Sequence, residues 1–168
     1  MIKKSHFLLV MVLALGSINL TDAQDWNRED LIIHKTFEDL EPLFHLDNDT
    51  TYVINFWATW CAPCVAELPY FEELNDKYGI VKVVLVSLDF ERQIDRKLLP
   101  FLNKNKIGSE VRVLLDGKSH RWIDRVDPEW SGAIPVTYIR SGSKSGFFEQ
   151  VFHSFEELDA VLSPFLEE

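Results

Sequence analysis

The chain contains two cysteines, and both lie in the short segment Trp60-Cys61-Ala62-Pro63-Cys64. Because two residues separate them, the two sulfurs can meet across one helical turn. The segment follows a predicted strand and begins a predicted helix, so Cys61 lies at a helix N-terminus, where free N–H groups and the helix dipole stabilise a thiolate. Pro63 fits the first helical turn because no backbone N–H is needed there. The spacing therefore predicts thiol–disulfide exchange, with Cys61 as the accessible nucleophile and Cys64 as the resolving thiol.

Two other roles for the cysteine pair remain open from the sequence. A plain stabilising disulfide is one, but a bridge that closes so small a loop removes little chain entropy. A metal site is the other, and two thiolates supply only half of a structural zinc shell. The histidines of the chain after its first residues are scattered without ligand spacing: His34, His45, His120 and His153. We therefore expect neither a metal nor an organic cofactor.

The flanking pattern indicates how the cysteines are positioned. Residues 51–57 are β-branched and aromatic, which predicts a buried strand ending just before the motif. Residues 62–78 have the apolar spacing of a helix, and Gly79 marks its end. Residues 80–88 form a near-continuous apolar run, which predicts a second buried strand, parallel to the first.

The rest of the chain predicts further elements of an α/β domain. Residues 36–44 and 91–107 have helical spacing, with a break expected at Pro100. Later segments predict a short strand, a hairpin and a closing helix: 111–115, 136–139 with 146–152, and 154–166. Ser154 and Glu157 form a capping-box pattern at the start of that helix. This order of elements predicts a mixed central sheet flanked by helices.

Three separated segments resemble the thioredoxin superfamily, and in particular its TlpA/ResA-like branch of exported thiol-disulfide oxidoreductases. They are the active-site segment at 56–64, the following Glu67-Leu68-Pro69, and the segment at 132–136 that looks like the superfamily's cis-proline segment. The resemblance covers roughly residues 31–166. It implies a thioredoxin-like fold with a small insertion, at 103–130, before the cis-proline strand.

The resemblance also implies roles for residues around the cysteines. It makes Ile134–Pro135 a cis peptide beside the two sulfurs, with Pro135 as a catalytic residue that keeps metal away from the thiols. The backbone at Ile134 then pairs with an extended segment of the substrate protein. The implied substrate groove is lined by Trp60, Ala62, Pro63 and Ile134.

One departure from the family pattern bears on proton transfer. Thioredoxins proper carry a buried aspartate on the strand before the motif, whereas this chain has Asn55, which does not titrate. Asp89 and Glu67 are the candidates to replace it. Asp89 follows the second predicted strand and is either catalytic or structural, since the carboxyl ends of strands face the site in open α/β sheets. For Glu67 we expect a position on the helix surface or in contact with a partner.

The expected activity is exchange of a Cys61–Cys64 dithiol or disulfide with protein substrates through a mixed disulfide. The resemblance favours reduction of the partner, which requires an upstream membrane electron donor. Two alternatives are an oxidant that installs disulfides and a redox-silent peptide-binding module. Peroxide reduction is disfavoured, because peroxiredoxins need a threonine three residues before the reactive cysteine and Ala58 holds that place.

Composition limits the partners and the number of domains. The chain has 168 residues, 46% of them hydrophobic, which suits a single globular domain. Its formal net charge is −10. A nucleic-acid partner is therefore not expected, since binding along phosphates needs a positive surface.

The N-terminus has the pattern of a secretory signal peptide. Lys3 and Lys4 precede an apolar run from 7 to 20, and small residues lead to a cleavage site after Ala23. The predicted organisation is a signal peptide at 1–23 and a thioredoxin-like domain at 24–168, exported to the periplasm or another extracytoplasmic space. An uncleaved anchor is the alternative, although the run is shorter than the ~20 residues that span a bilayer. No membrane span is expected after cleavage.

Overall fold

A computed structural model describes residues 25–166, so the predicted signal peptide lies outside the described residues. The chain forms one six-stranded sheet in the order β1-β4-β3-β2-β5-β6. The strands are β1 Ile32–His34, β2 Thr51–Trp57, β3 Val81–Ser87, β4 Glu110–Leu114, β5 Val136–Ser141 and β6 Lys144–Phe148. The α-helices are α1 Phe37–Leu40, α2 Ala62–Lys77, α3 Glu91–Gln93, α4 Leu99–Asn105, α5 Ile123–Val126 and α6 Phe155–Leu166.

Strand β2 occupies the interior of the sheet and carries the chain to the cysteine motif. All seven of its residues are buried. It pairs in parallel with β3, from Thr51 opposite Val81 to Trp57 opposite Ser87, and antiparallel with β5. The predicted mixed sheet with flanking helices is therefore confirmed. The carboxyl ends of β2, β3 and β4 share one edge, and the motif lies at that edge.

Alternation along β2 divides the apolar residues between two cores. Trp57 faces the core formed with α2, α4 and α6, whereas Phe56 faces the core formed with α1 and α5. Both side chains are fully buried, as predicted. In the second core the Phe56 ring lies 4.9 Å from the Trp130 ring, and Trp122 stacks on Phe37 at 5.3 Å. The aromatic core thus supports the segment that leads into β5.

The stretch at 103–130 divides into two parts with different roles. Its first part supplies β4, which pairs with both β3 and β1. Its second part contains a 3-10 helix, Ser119–Arg121, and α5. Trp122 and Trp130 from this second part are buried. The second part of the predicted insertion is consequently a packed element that leads into the cis-proline segment.

Several boundaries differ from the sequence-based expectations. The helix predicted at 91–107 is interrupted by a π turn, Ile94–Leu98, just before Pro100. The reason is that Pro100 has no N–H for the carbonyl four residues earlier, and a wider turn accommodates this loss. The helix predicted at 36–44 is α1 followed by a 3-10 turn, Glu41–His45.

The predicted hairpin strand at 146–152 is also displaced. Ser141 pairs with Lys144 across a two-residue turn that contains Gly142 at φ 53°, so β6 begins at Lys144. The strand ends at Phe148, and Phe152 beyond it donates its backbone N–H to Glu67. The chain therefore leaves the sheet to reach α2.

The start of the described chain is attached firmly to the domain by Trp26. The indole is 5% exposed, and its Nε1–H donates to the carbonyl of Ile107 at 2.7 Å. The backbone of Trp26 forms two hydrogen bonds with the Asn103 side chain, at 2.6 and 3.1 Å. No helix within residues 25–166 has the length and apolar character needed to span a membrane.

Replacing Trp26 should be costly for the fold. We expect Trp26→Ala to lower the free energy of unfolding by about 3–5 kcal/mol, because it removes a buried aromatic side chain and leaves a cavity. Urea denaturation followed by circular dichroism measures this loss. Trp60→Ala is the matched control: that indole is 52% exposed, so its removal should cost less than about 1 kcal/mol. Equal losses in the two variants would show that Trp26 is not an anchor.

Candidate active site

Cys61 and Cys64 form a disulfide at the start of α2. Cys61 is the N-cap residue of this helix, and its sulfur accepts a hydrogen bond from the backbone N–H of Cys64 at 3.3 Å. Cys61 is 7% exposed and Cys64 is fully buried. The two sulfurs are therefore unequal: that of Cys61 is the one a partner can approach, and that of Cys64 points into the protein.

The cis-proline segment lies against the exposed side of the disulfide. The Ile134–Pro135 peptide bond is cis, as the resemblance implies. The carbonyl oxygen of Ile134 is 3.7 Å from the Cys61 sulfur. Trp130 supports this segment, because its Nε1–H donates a hydrogen bond to the carbonyl of Ala133 at 2.7 Å.

The residues expected to line a substrate groove surround this point. Trp60, Ala62 and Pro63 are exposed, and Ile134 is partly exposed. Pro135, the residue after Ile134, is buried. An extended polypeptide could thus lie over the disulfide with backbone groups of this chain within its reach.

Asp89 is brought to the same edge of the sheet, where it holds the turn before Cys61. Its carboxylate is 1% exposed and accepts hydrogen bonds from the Thr59 N–H at 3.0 Å and the Thr59 hydroxyl at 2.6 Å. The Ser87 hydroxyl donates to it at 2.8 Å. Both carboxylate oxygens are thereby engaged, and this arrangement favours the structural of the two roles considered for Asp89.

The expectation that Glu67 lies on the helix surface is wrong. The Glu67 side chain is fully buried, one turn after Cys64 on the same face of α2. Its Oε1 accepts a hydrogen bond from Asn55 Nδ2 at 3.0 Å, and its Oε2 accepts one from the Phe152 N–H at 2.9 Å. Burial raises the pKa of Glu67 to about 7, although the hydrogen bonds from Phe152 and Asn55 act to lower it.

One signal in the sequence could have revealed this burial. Cys64, Glu67, Phe71 and Leu74 follow one another at intervals of three and four residues, which places them on one helical face. The other three members of this series are fully buried. Although the charge of Glu67 suggests a surface position, its place in this series puts it on the face of α2 that is turned toward the core.

The described residues do not assemble a metal site. No group of three or more His, Cys, Asp or Glu side chains between residues 25 and 166 lies close enough together to hold an ion. What the site does bring together is a disulfide, a backbone edge beside it, and a buried carboxyl group with a pKa near neutrality. These are the parts needed to exchange electrons and a proton with another protein thiol or disulfide.

Glu67 should make the stability of the fold depend on pH. The folded protein holds this proton up to a pKa of about 7, and its ordinary value is 4.5. The stability that Glu67 contributes is therefore fully present below pH 4.5 and is lost as the pH rises through 7. We expect the oxidised protein to lose on the order of 3 kcal/mol from this group over that range.

Glu67→Gln is the variant that isolates this contribution, because glutamine has the same shape and does not titrate. Chemical denaturation at pH 4.5, 6, 7 and 8 should give a pH profile that falls more steeply for the native chain than for the variant. Parallel profiles would mean that Glu67 has the same pKa in the folded and unfolded states.

Comparison with known proteins agrees with this geometry. Residues 38–142 match the model of the AhpC/TSA family. The thiol-disulfide oxidoreductase ResA of Oceanobacillus iheyensis is 54% identical over 69 residues, which cover 37% of this chain and 36% of that protein. Thioredoxin C-2 of Corynebacterium nephridii is 50% identical over 44 residues, 26% of this chain and 41% of that protein. The chain thus spans about two fifths or less of these curated relatives.

Solved structures show the same fold at low sequence identity. A secreted thiol-disulfide isomerase from Corynebacterium glutamicum superposes with a TM-score of 0.59 at 16% identity, over 72% of this chain and 73% of that one. A thioredoxin-related protein from Neisseria meningitidis gives 0.55 at 22% identity, over 68% and 84%. The chain has a thioredoxin-like fold, and it belongs to the AhpC/TSA family.

Proposed function

We propose that this protein is a thiol-disulfide oxidoreductase that reduces disulfides in partner proteins outside the cytoplasm. The observation that carries the proposal is the position of the Cys61–Cys64 disulfide, between the partly exposed Ile134 next to the cis peptide bond and the buried Glu67 carboxyl. One sulfur is open to a partner, and the other lies one helical turn from a carboxyl group that can accept a proton. A disulfide with a purely structural role has no need of either neighbour.

The first step begins with the reduced protein and its Cys61 thiolate. The thiolate attacks one sulfur of the partner disulfide, so a Cys61–partner S–S bond forms while the partner's own S–S bond breaks. The displaced partner sulfur leaves as a thiolate and takes a proton from solvent. The N–H of Cys64 and the N-terminus of α2 stabilise the attacking thiolate.

The second step releases the partner. Cys64 loses its proton to the Glu67 carboxylate, and its sulfur attacks Cys61. The Cys61–Cys64 disulfide forms, and the second partner sulfur leaves as a thiolate and is protonated by solvent. Two electrons have then passed to the partner. A carboxyl group with a pKa of about 7 is suited to this transfer, because it can both accept and return a proton near neutral pH.

The partner groove in this proposal consists of Trp60, Ala62, Pro63, Ile134 and Pro135. The exposure of the first three and the carbonyl of Ile134 next to Cys61 support it. An extended partner segment would place its cysteine at Cys61 and pair its backbone with Ile134. Pro135 would keep metal ions away from the thiols.

The proposal also covers location and electron supply. Residues 1–23 act as a signal peptide, and residues 24–168 work in the periplasm or another extracytoplasmic space. The pattern of basic residues followed by an apolar run supports this. Because each turnover leaves the protein oxidised, an electron donor in the membrane must restore the dithiol.

Peroxide reduction is less well supported by the site. Ala58 occupies the position where peroxiredoxins need a threonine, and it is fully buried. The neighbouring Thr59 does not substitute for it, since its hydroxyl donates to Asp89 at 2.6 Å. This hydroxyl is already engaged in holding the turn before Cys61.

The equilibrium reduction potential is the first test. We expect a reversible two-electron transition in glutathione and dithiothreitol buffers, followed by tryptophan fluorescence, with a midpoint well below about −200 mV. A midpoint near about −120 mV would instead identify an oxidant that installs disulfides. If no reversible transition occurs, the oxidoreductase proposal fails and a redox-silent peptide-binding module remains.

The roles of the two sulfurs are tested by trapping a mixed disulfide. Cys64→Ser keeps the nucleophile but removes the resolving thiol, so it should accumulate a covalent adduct with insulin, a disulfide-bonded test protein. Non-reducing electrophoresis and intact mass measure the adduct, which dithiothreitol should dissolve. Cys61→Ser is the matched control and should form at least tenfold less adduct. A larger yield from Cys61→Ser would reverse the assignment of the two cysteines.

A further inference from the structure

Behind the disulfide lies a buried polar cluster in which one atom has no partner. Asn55 on β2, Glu67 on α2 and Thr137 on β5 are all fully buried. The Asn55 amide nitrogen donates to Glu67 Oε1 at 3.0 Å and to Thr137 Oγ1 at 3.1 Å. The Asn55 amide oxygen has no hydrogen-bond partner among the described residues. A buried carbonyl oxygen without a donor is unfavourable, because it has lost its hydrogen bonds to water and gained none in return.

This orientation of the amide suits the ionised form of Glu67. A carboxylate only accepts hydrogen bonds, and here Asn55 Nδ2 and the Phe152 N–H each supply a donor to one oxygen. In this arrangement both oxygens of Glu67 accept a hydrogen bond, whereas the amide oxygen of Asn55 accepts none.

Protonation of Glu67 changes which orientation is favourable. The backbone N–H of Phe152 is a fixed donor to Oε2, and the carbonyl oxygen of a protonated carboxyl is a better acceptor than its hydroxyl oxygen, so this hydrogen bond favours the proton on Oε1. An Oε1–H group would then point at the N–H of Asn55. Both groups are donors, so no hydrogen bond could form between them. If the amide turns over, its oxygen can accept from both Glu67 Oε1–H and the Thr137 hydroxyl, because that hydroxyl can donate as well as accept.

We propose that the Asn55 amide turns over when Glu67 takes up a proton, and that Asn55 is thereby a positioning residue for this proton. The inference rests on the proposed function only for the source of the proton, Cys64. In each orientation, one atom of the Asn55 amide group has no hydrogen-bond partner. Hydrogen bonding of the amide alone therefore does not fix either orientation. The protonation state of Glu67 selects between them.

No other charged group competes for this control among the described residues. Glu67 is hydrogen-bonded by Asn55 from β2 and by the Phe152 backbone from the segment before α6, and Cys64 lies one turn earlier on the same face of α2. Thr137 on β5 is reached through Asn55. His153, next to Phe152, has an exposed side chain. The pKa of Glu67 is set by burial and by its two hydrogen bonds, with no contribution from a cation.

The turnover can be observed directly by NMR on the oxidised protein, with no partner present. The carboxyl carbon of Glu67 reports its titration between pH 4 and 10. Nuclear Overhauser effects from the Asn55 NH2 protons to the Thr137 methyl group report the amide orientation. We expect these effects to fall several-fold on acidification, with a midpoint that coincides with the Glu67 titration.

Glu67→Gln is the matched control, since it removes the titration while keeping the shape. In this variant the Asn55 contacts should not change with pH. The proposal is overturned if the contacts stay constant while Glu67 titrates, if they still change in Glu67→Gln, or if Glu67 does not titrate between pH 4 and 10. The trapping of insulin by Cys64→Ser is a separate measurement, so a failure of the amide turnover and a failure of the proposed exchange activity can be told apart.

Discussion

The candidate active site depends on the buried carboxyl group of Glu67, which has no cation as a partner among the described residues. Glu67 joins three parts of the chain that are distant in sequence: α2 which carries it, β2 through Asn55, and the segment before α6 through the Phe152 N–H. Taking a carboxylate out of water is unfavourable, and two hydrogen bonds offset only part of this cost. This burial raises the pKa of Glu67 to about 7, which suits the proton exchange that we propose for it.

The disulfide lies at the boundary between this interior and the surface. Cys61 is supported by the turn that Asp89 holds and by the cis-proline segment that Trp130 supports. Cys64 is fully buried, and Glu67 lies one helical turn after it on the same face of α2. In the proposed mechanism the two sulfurs therefore have different tasks: the Cys61 sulfur, nearer the surface, forms the bond to a partner, and the buried Cys64 sulfur exchanges the proton.

The sequence was informative where function depends on local order. The placement of the cysteines between a buried strand and a helix follows from residues 51–78, and the structure has the same elements within one or two residues. The burial of Glu67 was not predicted, because a charged residue on a helix is assigned to the surface unless its partners are known. Those partners, Asn55 and the Phe152 N–H, are 12 and 85 positions away. Trp26 was missed for the same reason, since its contacts are 77 and 81 positions away.

The contacts of Trp26 and Arg28 determine where a pull on the start of the described chain would act. Trp26 contacts Asn103 and Ile107, and Arg28 forms ion pairs with Glu91 and Asp95. All four partners belong to the segment 91–107, which runs from the end of β3 toward β4. A bead or an electrode joined to the chain just before residue 25 would therefore pull on this packed segment rather than on a free tail.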